Sequence, residues 1–374
     1  MWTRTISSSP VRPAVDSRVG DPGDAHPVLL VRDVIDETSD ARSIVLEVPE
    51  GGHDAFSYSP GQFLTFRIPS EQTGSVARSY SLSSAPGIDE HLKVTVKRTA
   101  GGYGSNWLCD NIAPGDGVVV LPPSGRFTPK SLDGDLLLLA AGSGITPVMS
   151  ILKTTMKCGS GRVRLFYANR DADAVIFDAE LQDLQRQYRA RLVVEHWLDD
   201  RSGHPDSEVV RRTAEALPHG DAFVCGPAPF MDLVARGLAA AGFERARVHR
   251  ETFSSLSGNP FAETAPHVGD VASGKPIGAE GAVGGGAAAV VHLEGRVHEF
   301  TWARDRSLVD ALLERGVDVP HSCRSGECGS CACTILTGEV RMENSEILDP
   351  QDVEDGYFLG CQARPVSDSV EVEF

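Results

Sequence analysis

Leu136-Leu137-Leu138-Leu139-Ala140-Ala141-Gly142-Ser143-Gly144-Ile145-Thr146-Pro147 decides the fold of this chain. Six apolar residues in a row read as a strand buried on both faces, which requires helices above and below a parallel sheet. Gly142 and Gly144 end that strand and let backbone come close to whatever lies at the next helix start. A helical pattern follows from Pro147 to Met156. Beyond it the alternation continues: strand Val163–Tyr167, helix Phe177–Tyr188, strand Leu192–Trp197, helix Ser207–Ala216, strand Ala222–Cys225, helix Pro229–Ala241. Strand and helix in regular turn predict a parallel α/β domain over residues 131–255.

Upstream the pattern is different. Ser43–Val48, Gln62–Ile68 and Leu92–Lys97 alternate apolar and polar residues, with turn signals at Pro49–Gly52, Ser59–Gly61 and Ala113–Gly117 between them. Short strands at this spacing predict a small antiparallel β-barrel over residues 27–130. Residues 1–26 are rich in Ser, Pro, Asp and Gly, follow no apolar leader pattern, and are expected to be disordered. Residues 256–286 are Gly-, Ala- and Pro-rich and read as a flexible linker. A compact block, residues 287–374, closes the chain.

The net charge of −17 excludes a nucleic-acid role, which needs a basic footprint. Residues 287–374 carry 17 acidic and 7 basic residues, a net of −10, so the acid is concentrated there as solubilising charge or as a docking face for a basic partner. No apolar run is long enough to span a bilayer. Five of the eight cysteines fall between Cys323 and Cys361, which points to metal binding in a reducing cytoplasm rather than to disulfides.

Cys323-x4-Cys328-x2-Cys331, with Cys361 well downstream, is the spacing of a plant-type 2Fe-2S site. Three thiolates come from one tight loop and the fourth from a distant segment. Gly326 and Gly329 let the loop bend so that N–H groups face sulfur, and Ser322, Ser325 and Ser330 are candidate hydroxyl donors. A zinc site prefers two close cysteine pairs, which this is not. Cys333 is left over and reads as a buried apolar thiol. The pattern is similar to the plant-type ferredoxins and implies a β-grasp domain.

Arg78-Ser79-Tyr80-Ser81-Leu82 lies on a barrel strand. An Arg can pair with a pyrophosphate, a Tyr can cover an isoalloxazine ring, and the Ser81 hydroxyl can reach its reactive nitrogen. Val96-Lys97-Arg98 and Gly101-Gly102-Tyr103-Gly104-Ser105 follow, the glycines opening a helix suited to phosphate. Arg78-x-Tyr80-Ser81 and Gly102-x-x-Ser105 resemble the flavin and pyrophosphate motifs of the ferredoxin–NADP reductase superfamily. The resemblance covers nearly the whole chain and implies FAD rather than FMN. It makes Arg78, Ser79, Tyr80, Ser81, Val96, Lys97, Gly102, Gly104 and Ser105 the flavin set.

The same resemblance assigns Gly142, Gly144, Thr146 and Pro147 to the nicotinamide cofactor, with Cys225, Gly226 and Pro227 beside the ring. No base accompanies Cys225, so it is not a nucleophile. Asn169 and Arg170 end a strand near the expected ribose. Arg170 could take a 2′-phosphate and favour NADPH, but Asp171 and Asp173 oppose that, so NADH is favoured. Glu251 and Phe253 either return to the flavin or simply end the domain. Ser81, Cys225 and Glu251 are the candidate catalytic residues.

Barrel, nucleotide domain and C-terminal ferredoxin domain, in that order, resemble oxygenase reductases of the phenylacetyl-CoA type. Ser75–Leu82, Val94–Ala100, Ser105–Asp110 and Cys361–Pro365 are most similar to the branch serving 3-ketosteroid 9α-hydroxylation, although no residue names a steroid. The implied activity is hydride transfer from NAD(P)H to FAD, then single electrons through 2Fe-2S to a Rieske-type oxygenase partner. The alternatives are a reductase for phenylacetyl-CoA or aromatic hydroxylation, a standalone NAD(P)H oxidase or acceptor reductase, and a carrier that has lost nicotinamide binding. The intact glycine turns at Gly142 and Gly226 oppose the last.

Overall fold

The computed structural model describes residues 26–253, 256, 259–261, 286–293, 295–317, 319–344, 347, 348 and 350–374. Most of the expected disordered start and of the expected linker lies outside them.

The first unit contains β1 (Val28–Thr38), β2 (Ala41–Glu47), β3 (Phe63–Ser70), β4 (Gly74–Ser81), β5 (Leu92–Lys97), α1 (Tyr103–Asn111) and β6 (Gly117–Ser124). The strands run antiparallel in the order β4-β3-β6-β1-β2-β5, and a bridge between Leu82 and Val94 joins the two edges into a ring. Leu29, Ile44, Leu64, Phe66, Val94 and Val96 fill the centre. The alternation in sequence is thus the inside–outside alternation of a barrel wall.

The second unit contains β7 (Leu136–Ala141), α2 (Ile145–Cys158), β8 (Val163–Asn169), α3 (Asp178–Gln187), β9 (Leu192–Leu198), α4 (Asp199–Ser202), α5 (Ser207–Glu215), β10 (Asp221–Cys225), α6 (Ala228–Ala240) and β11 (Val248–Glu251). All pairings are parallel, in the order β11-β10-β7-β8-β9. Every residue of β7 is buried, as its unbroken apolar run required. The chain winds outward from β7 through β9 and returns on the other side at β10. The crevice where such a sheet binds ligands therefore lies at the carboxyl ends of β7 and β10.

The barrel and this sheet share a polar seam. Lys153, only 9% exposed, reaches Asp89 at 2.7 Å and Glu180 at 2.9 Å, and Lys93 of β5 meets Glu180 at 3.5 Å. Ser150 Oγ donates to the Ser84 carbonyl at 2.6 Å.

The third unit contains β12 (Ala287–Leu293), β13 (Arg296–Trp302), α7 (Leu308–Leu313), β14 (Ala332–Thr337), β15 (Val340–Met342), α8 (Pro350–Glu354), β16 (Tyr357–Leu359), β17 (Ala363–Pro365) and β18 (Ser369–Glu373). Its main sheet runs β13-β12-β18-β14-β16, with β12 and β18 parallel. Leu308, Val309 and Leu312 of α7 share a core with Val291, Trp302, Phe358 and Val372, which is a helix gripped by a mixed sheet. Cys333 lies in that core with its thiol on the Phe358 carbonyl, as expected of a structural cysteine.

The start of the expected linker is not free. Leu256 and Phe261 are buried against Ala77 and Cys323, and Asn259 Nδ2 donates to the Ser75 carbonyl at 2.9 Å. Composition across the segment hid two apolar anchors. Among the described residues, no helix is long and apolar enough to cross a membrane.

Candidate functional site

Strand alternation on β4 turns Arg78 and Tyr80 to one face and Ala77 and Ser79 to the other. Tyr80 packs edge-on against Phe66, with ring centroids 5.6 Å apart, and burial pushes its phenol well above the ordinary range. The amino end of α1 closes over this face. A Cβ on Gly104 would lie 2.7 Å from Arg78 Cγ and 3.3 Å from the Tyr80 hydroxyl, so only glycine fits there. Ser105 Oγ accepts from the Thr99 N–H at 3.1 Å and braces the loop, while no side chain caps the first N–H groups of α1. The Arg78 guanidinium donates to the Ala77 and Leu256 carbonyls and has no acidic partner among the described residues. A guanidinium with no acidic partner among the described residues, beside an uncapped helix end and in a cradle that a Cβ would fill, fits a pyrophosphate.

Other members of the expected flavin set stand differently. Ser81 is buried. Val96 points into the barrel core, so only its backbone could meet a ligand, and Lys97 faces Asp40 at 3.7 Å. Ser79 turns its hydroxyl outward to Thr65 Oγ1 at 3.0 Å, away from the Arg78 face.

At the crevice the two strand ends touch. A Cβ on Gly144 would sit 2.1 Å from the Cys225 carbonyl oxygen and 2.8 Å from the Gly226 nitrogen. One on Gly226 would crowd Ala141 at 3.0 Å. Thr146 Oγ1 donates to the Ser143 carbonyl at 3.1 Å, and the Tyr167 hydroxyl donates to the Gly142 carbonyl at 3.0 Å, so the turn is pinned from both sides. Pro147 is buried in the first turn of α2, and Pro227 caps α6. Asn169 is buried at the end of β8 beside the Tyr167 hydroxyl, yet among the described residues neither of its amide atoms meets a partner in hydrogen-bond geometry. An orphaned amide at the carboxyl end of this sheet fits a bound nucleotide. Arg170 is exposed and paired with Asp171 at 2.8 Å, so its charge is already answered.

Cys225 and Glu251 are register partners on β10 and β11. Burial, then the Glu251 charge, pushes the Cys225 thiol far up, which keeps it un-ionised. Burial also pushes the half-buried Glu251 carboxyl up to about 8. Phe253 is 49% exposed. Because the folded chain holds the Glu251 proton more tightly than the unfolded one, its contribution to stability falls as pH rises from the unfolded range near 4.5 and levels off above about 8. Glu251→Gln is expected to flatten that decline, raising the melting temperature at pH 9 relative to pH 6. Equal pH slopes in variant and parent would refute the assignment.

The four cysteines meet two by two. The close approach of Cys323 and Cys328 pulls the Cys323 thiol down and lifts Cys328; Cys331 and Cys361 do likewise, with Cys361 lowered. Backbone N–H groups of Ser325 and Glu327 point at Cys323 Sγ from 3.4 and 3.3 Å, and the Cys361 N–H points at Cys331 Sγ from 3.4 Å. Gly326 and Gly329 take positive φ, as the bent loop requires. Among the described residues no three His, Cys, Asp or Glu side chains converge on one point. Two thiol pairs ringed by N–H donors fit two irons better than one tetrahedral ion. Of the expected hydroxyl donors, Ser330 Oγ accepts from Cys328 Sγ at 3.2 Å and Ser325 turns to Glu327. Ser322 faces away from sulfur, onto Thr65 Oγ1 at 2.9 Å.

Cys323 and Cys328 pack against Ala77, Val119 and Leu121, on the outer wall of the strands β4 and β6. Arg126, which follows β6, lies over the Tyr357 ring at 5.1 Å. The first thiol pair therefore sits against the strand that carries Arg78 and Tyr80. Sequence reading missed Thr65, Arg126 and Lys153, because each matters only through a partner from another unit.

Residues 29–128 match the oxidoreductase FAD-binding domain family, 138–236 the oxidoreductase NAD-binding domain family, and 291–366 the 2Fe-2S iron-sulfur cluster binding domain family. The ferredoxin reductase component of 3-ketosteroid-9-alpha-monooxygenase from Rhodococcus rhodochrous is 54% identical over 94% of this chain and 98% of its own. Its counterpart from Mycolicibacterium smegmatis is 51% identical over 92% and 96%. A component of the 1,2-phenylacetyl-CoA epoxidase of Escherichia coli is 32% identical over 92% and 97%. Among solved structures, phthalate dioxygenase reductase superposes with a TM-score of 0.56 over 94% of this chain and 99% of its own, at 24% identity, a likeness of fold.

Proposed function

Since the chain belongs to the family of 3-ketosteroid-9-alpha-monooxygenase ferredoxin reductase components, we propose that it draws electrons from NADH and delivers them singly to a Rieske-type oxygenase acting on a 3-ketosteroid. It is an oxidoreductase that uses FAD, NADH and a 2Fe-2S cluster. Bound FAD turns a hydride's electron pair into single electrons, which is what a 2Fe-2S cluster accepts.

The residues take the following parts in this reading. Arg78 and the α1 amino end hold the FAD pyrophosphate, Tyr80 covers the ring, and the buried Ser81 hydroxyl serves its reactive edge. Gly142, Gly144, Thr146 and Pro147 form the NADH pyrophosphate bed, with Asn169 offered to the adenosine half. Gly226 and Pro227 shape the nicotinamide wall, and the un-ionised Cys225 backs it without chemistry of its own. Glu251 and Phe253 close the flavin side. The Arg170 charge is answered by Asp171 rather than left for a 2′-phosphate, which supports NADH over NADPH. Cys323 and Cys328 hold one iron and Cys331 and Cys361 the other. In this reading the units span residues 27–130, 131–255 and 287–374, and the clustered thiols support a reducing, cytoplasmic setting.

One observation carries the electron path: Cys323 and Cys328 rest against Ala77, next to Arg78 on the same strand. The test is reconstitution with a purified 3-ketosteroid 9α-oxygenase. NADH oxidation dependent on both oxygenase and steroid is expected. Equal support of a phenylacetyl-CoA oxygenase, or none of the steroid enzyme, would overturn the substrate assignment.

A further inference from the structure

Three hydroxyls join the barrel to the cysteine loop. Ser79 Oγ meets Thr65 Oγ1 at 3.0 Å, and Thr65 Oγ1 meets Ser322 Oγ at 2.9 Å, across 257 positions of sequence. Thr65 is 1% exposed and Ser322 is 2% exposed, so water does not compete for the bond between them. Thr65 and Ser79 are register partners on β3 and β4, so their side chains stand on one face of the wall. That face is the one opposite Arg78. Ser322 immediately precedes Cys323, and Cys323 and Cys328 rest on the same wall at Ala77. Where Cys323 and Cys328 meet the wall, the neighbours Ala77, Val119 and Leu121 are apolar and non-directional; hydroxyl bonds are directional and fix a register.

We propose that the Ser79–Thr65–Ser322 hydroxyl ladder is the positioning device that sets the Cys323/Cys328 end of the cluster against the flavin strand. The proposal rests on the electron path given above. In that path one electron leaves the reduced flavin and one ferric iron becomes ferrous, and the rate of such a transfer falls steeply with separation. Thr65 touches neither cofactor in this arrangement and acts through Ser322 and the loop it begins. A threonine is required rather than a valine of equal shape because its single oxygen serves both neighbours.

The test uses the full-length holoprotein. Thr65→Val keeps the shape and removes the oxygen; Thr65→Ser keeps the oxygen. After mixing with NADH in a stopped-flow instrument, Thr65→Val should bleach its flavin at the parent rate but reduce its cluster about tenfold more slowly, the factor expected from losing one to two buried hydrogen bonds. Thr65→Ser should restore the parent rate. Amide hydrogen exchange over residues 319–330 should be faster in Thr65→Val, a readout independent of turnover. Ser322→Ala makes the same break from the other side and stands in if the barrel variant does not fold. Its effect should overlap with that of Thr65→Val in the double variant.

Parent-like cluster reduction in Thr65→Val, failure of Thr65→Ser to rescue, or effects that multiply in the double variant would each overturn the ladder. Flavin bleaching slowed in proportion to cluster reduction would also overturn it. If NADH fails to bleach the flavin of the parent protein, the electron path itself falls, and the hydrogen-exchange comparison still decides the ladder.

Discussion

Cys328→Ala is expected to abolish the visible 2Fe-2S absorption and to cut NADH-driven cytochrome c reduction more than ~100-fold, because a deleted ligand costs more than the 10–100-fold typical of an outer-shell partner. Cys328 shares a hydrogen bond with Cys323 and lies 3.2 Å from Ser330 Oγ. Its loss leaves the first iron with a single protein thiolate. The barrel and the parallel sheet have their own cores, so FAD content and NADH-driven ferricyanide reduction should stay within about twofold of the parent, as for additive, distant sites. Iron content, absorption and the two acceptor assays check this together. If ferricyanide and cytochrome c reduction fell in parallel, flavin and cluster would not stand in series. Full retention of the cluster would remove Cys328 from the ligand set.

Gly144→Ala should be the most damaging single change in the nucleotide crevice. The new methyl would stand 2.1 Å from the Cys225 carbonyl oxygen and 2.4 Å from its carbon. Both are backbone atoms, so no rotamer relieves the clash and the ends of β7 and β10 must part by an ångström or more. Misplacement on that scale costs on the order of 100-fold in a transfer reaction. The expected result is that NADH reduces the flavin ~100-fold more slowly, while FAD and cluster are retained and dithionite still reduces both. Gly142→Ala is the control. Gly142 has φ +54 but no protein atom within 4 Å of where a Cβ would go, so alanine there costs the fold only the ~1–2 kcal/mol of left-handed backbone, and its effect on NADH is that of a methyl in the pyrophosphate bed without parted strands. A Gly144→Ala protein with parent-like NADH kinetics would show that the two strand ends need not touch.

Both predictions concern residues that the linear pattern singled out, and they show how far that pattern reaches. Period-two alternation around Phe63–Ile68 and Leu92–Lys97 marked barrel strands, and the unbroken run at Leu136–Ala141 marked a strand buried on both faces. These are local signals, because burial on one face or two is written in the strand itself. Short elements of the C-terminal unit, such as β15 and β17, carried no comparable signal. They are three residues each and exist because they pair with one another. The flexible linker expected from composition was wrong at its start, where Leu256 and Phe261 are buried against the barrel.

The candidate site divides along the same line. Arg78, Tyr80, Gly144, Cys225 and the four cysteines proposed for the cluster could be picked out because residue type at fixed spacing marks them. Ser79 was grouped with Arg78 by adjacency, yet strand alternation sends it to the opposite face, where it bonds Thr65. Ser322 was grouped with the sulfur donors for the same reason and turns out to serve the barrel.

The sequence alone therefore determined three units, their order and the cofactors each accepts, and it singled out the four thiols proposed to hold the cluster. Covalent neighbours supply all of that information. The tertiary structure alone decided that Cys323 and Cys328, and not Cys331 and Cys361, face the barrel, and that Thr65 and Ser322 meet. It also decided that Gly144 lies against Cys225. Those contacts join residues separated by 257 positions in one case and 81 in the other. Each exists only once both partners are folded and packed, since no short stretch of chain carries the shape of the surface it will meet.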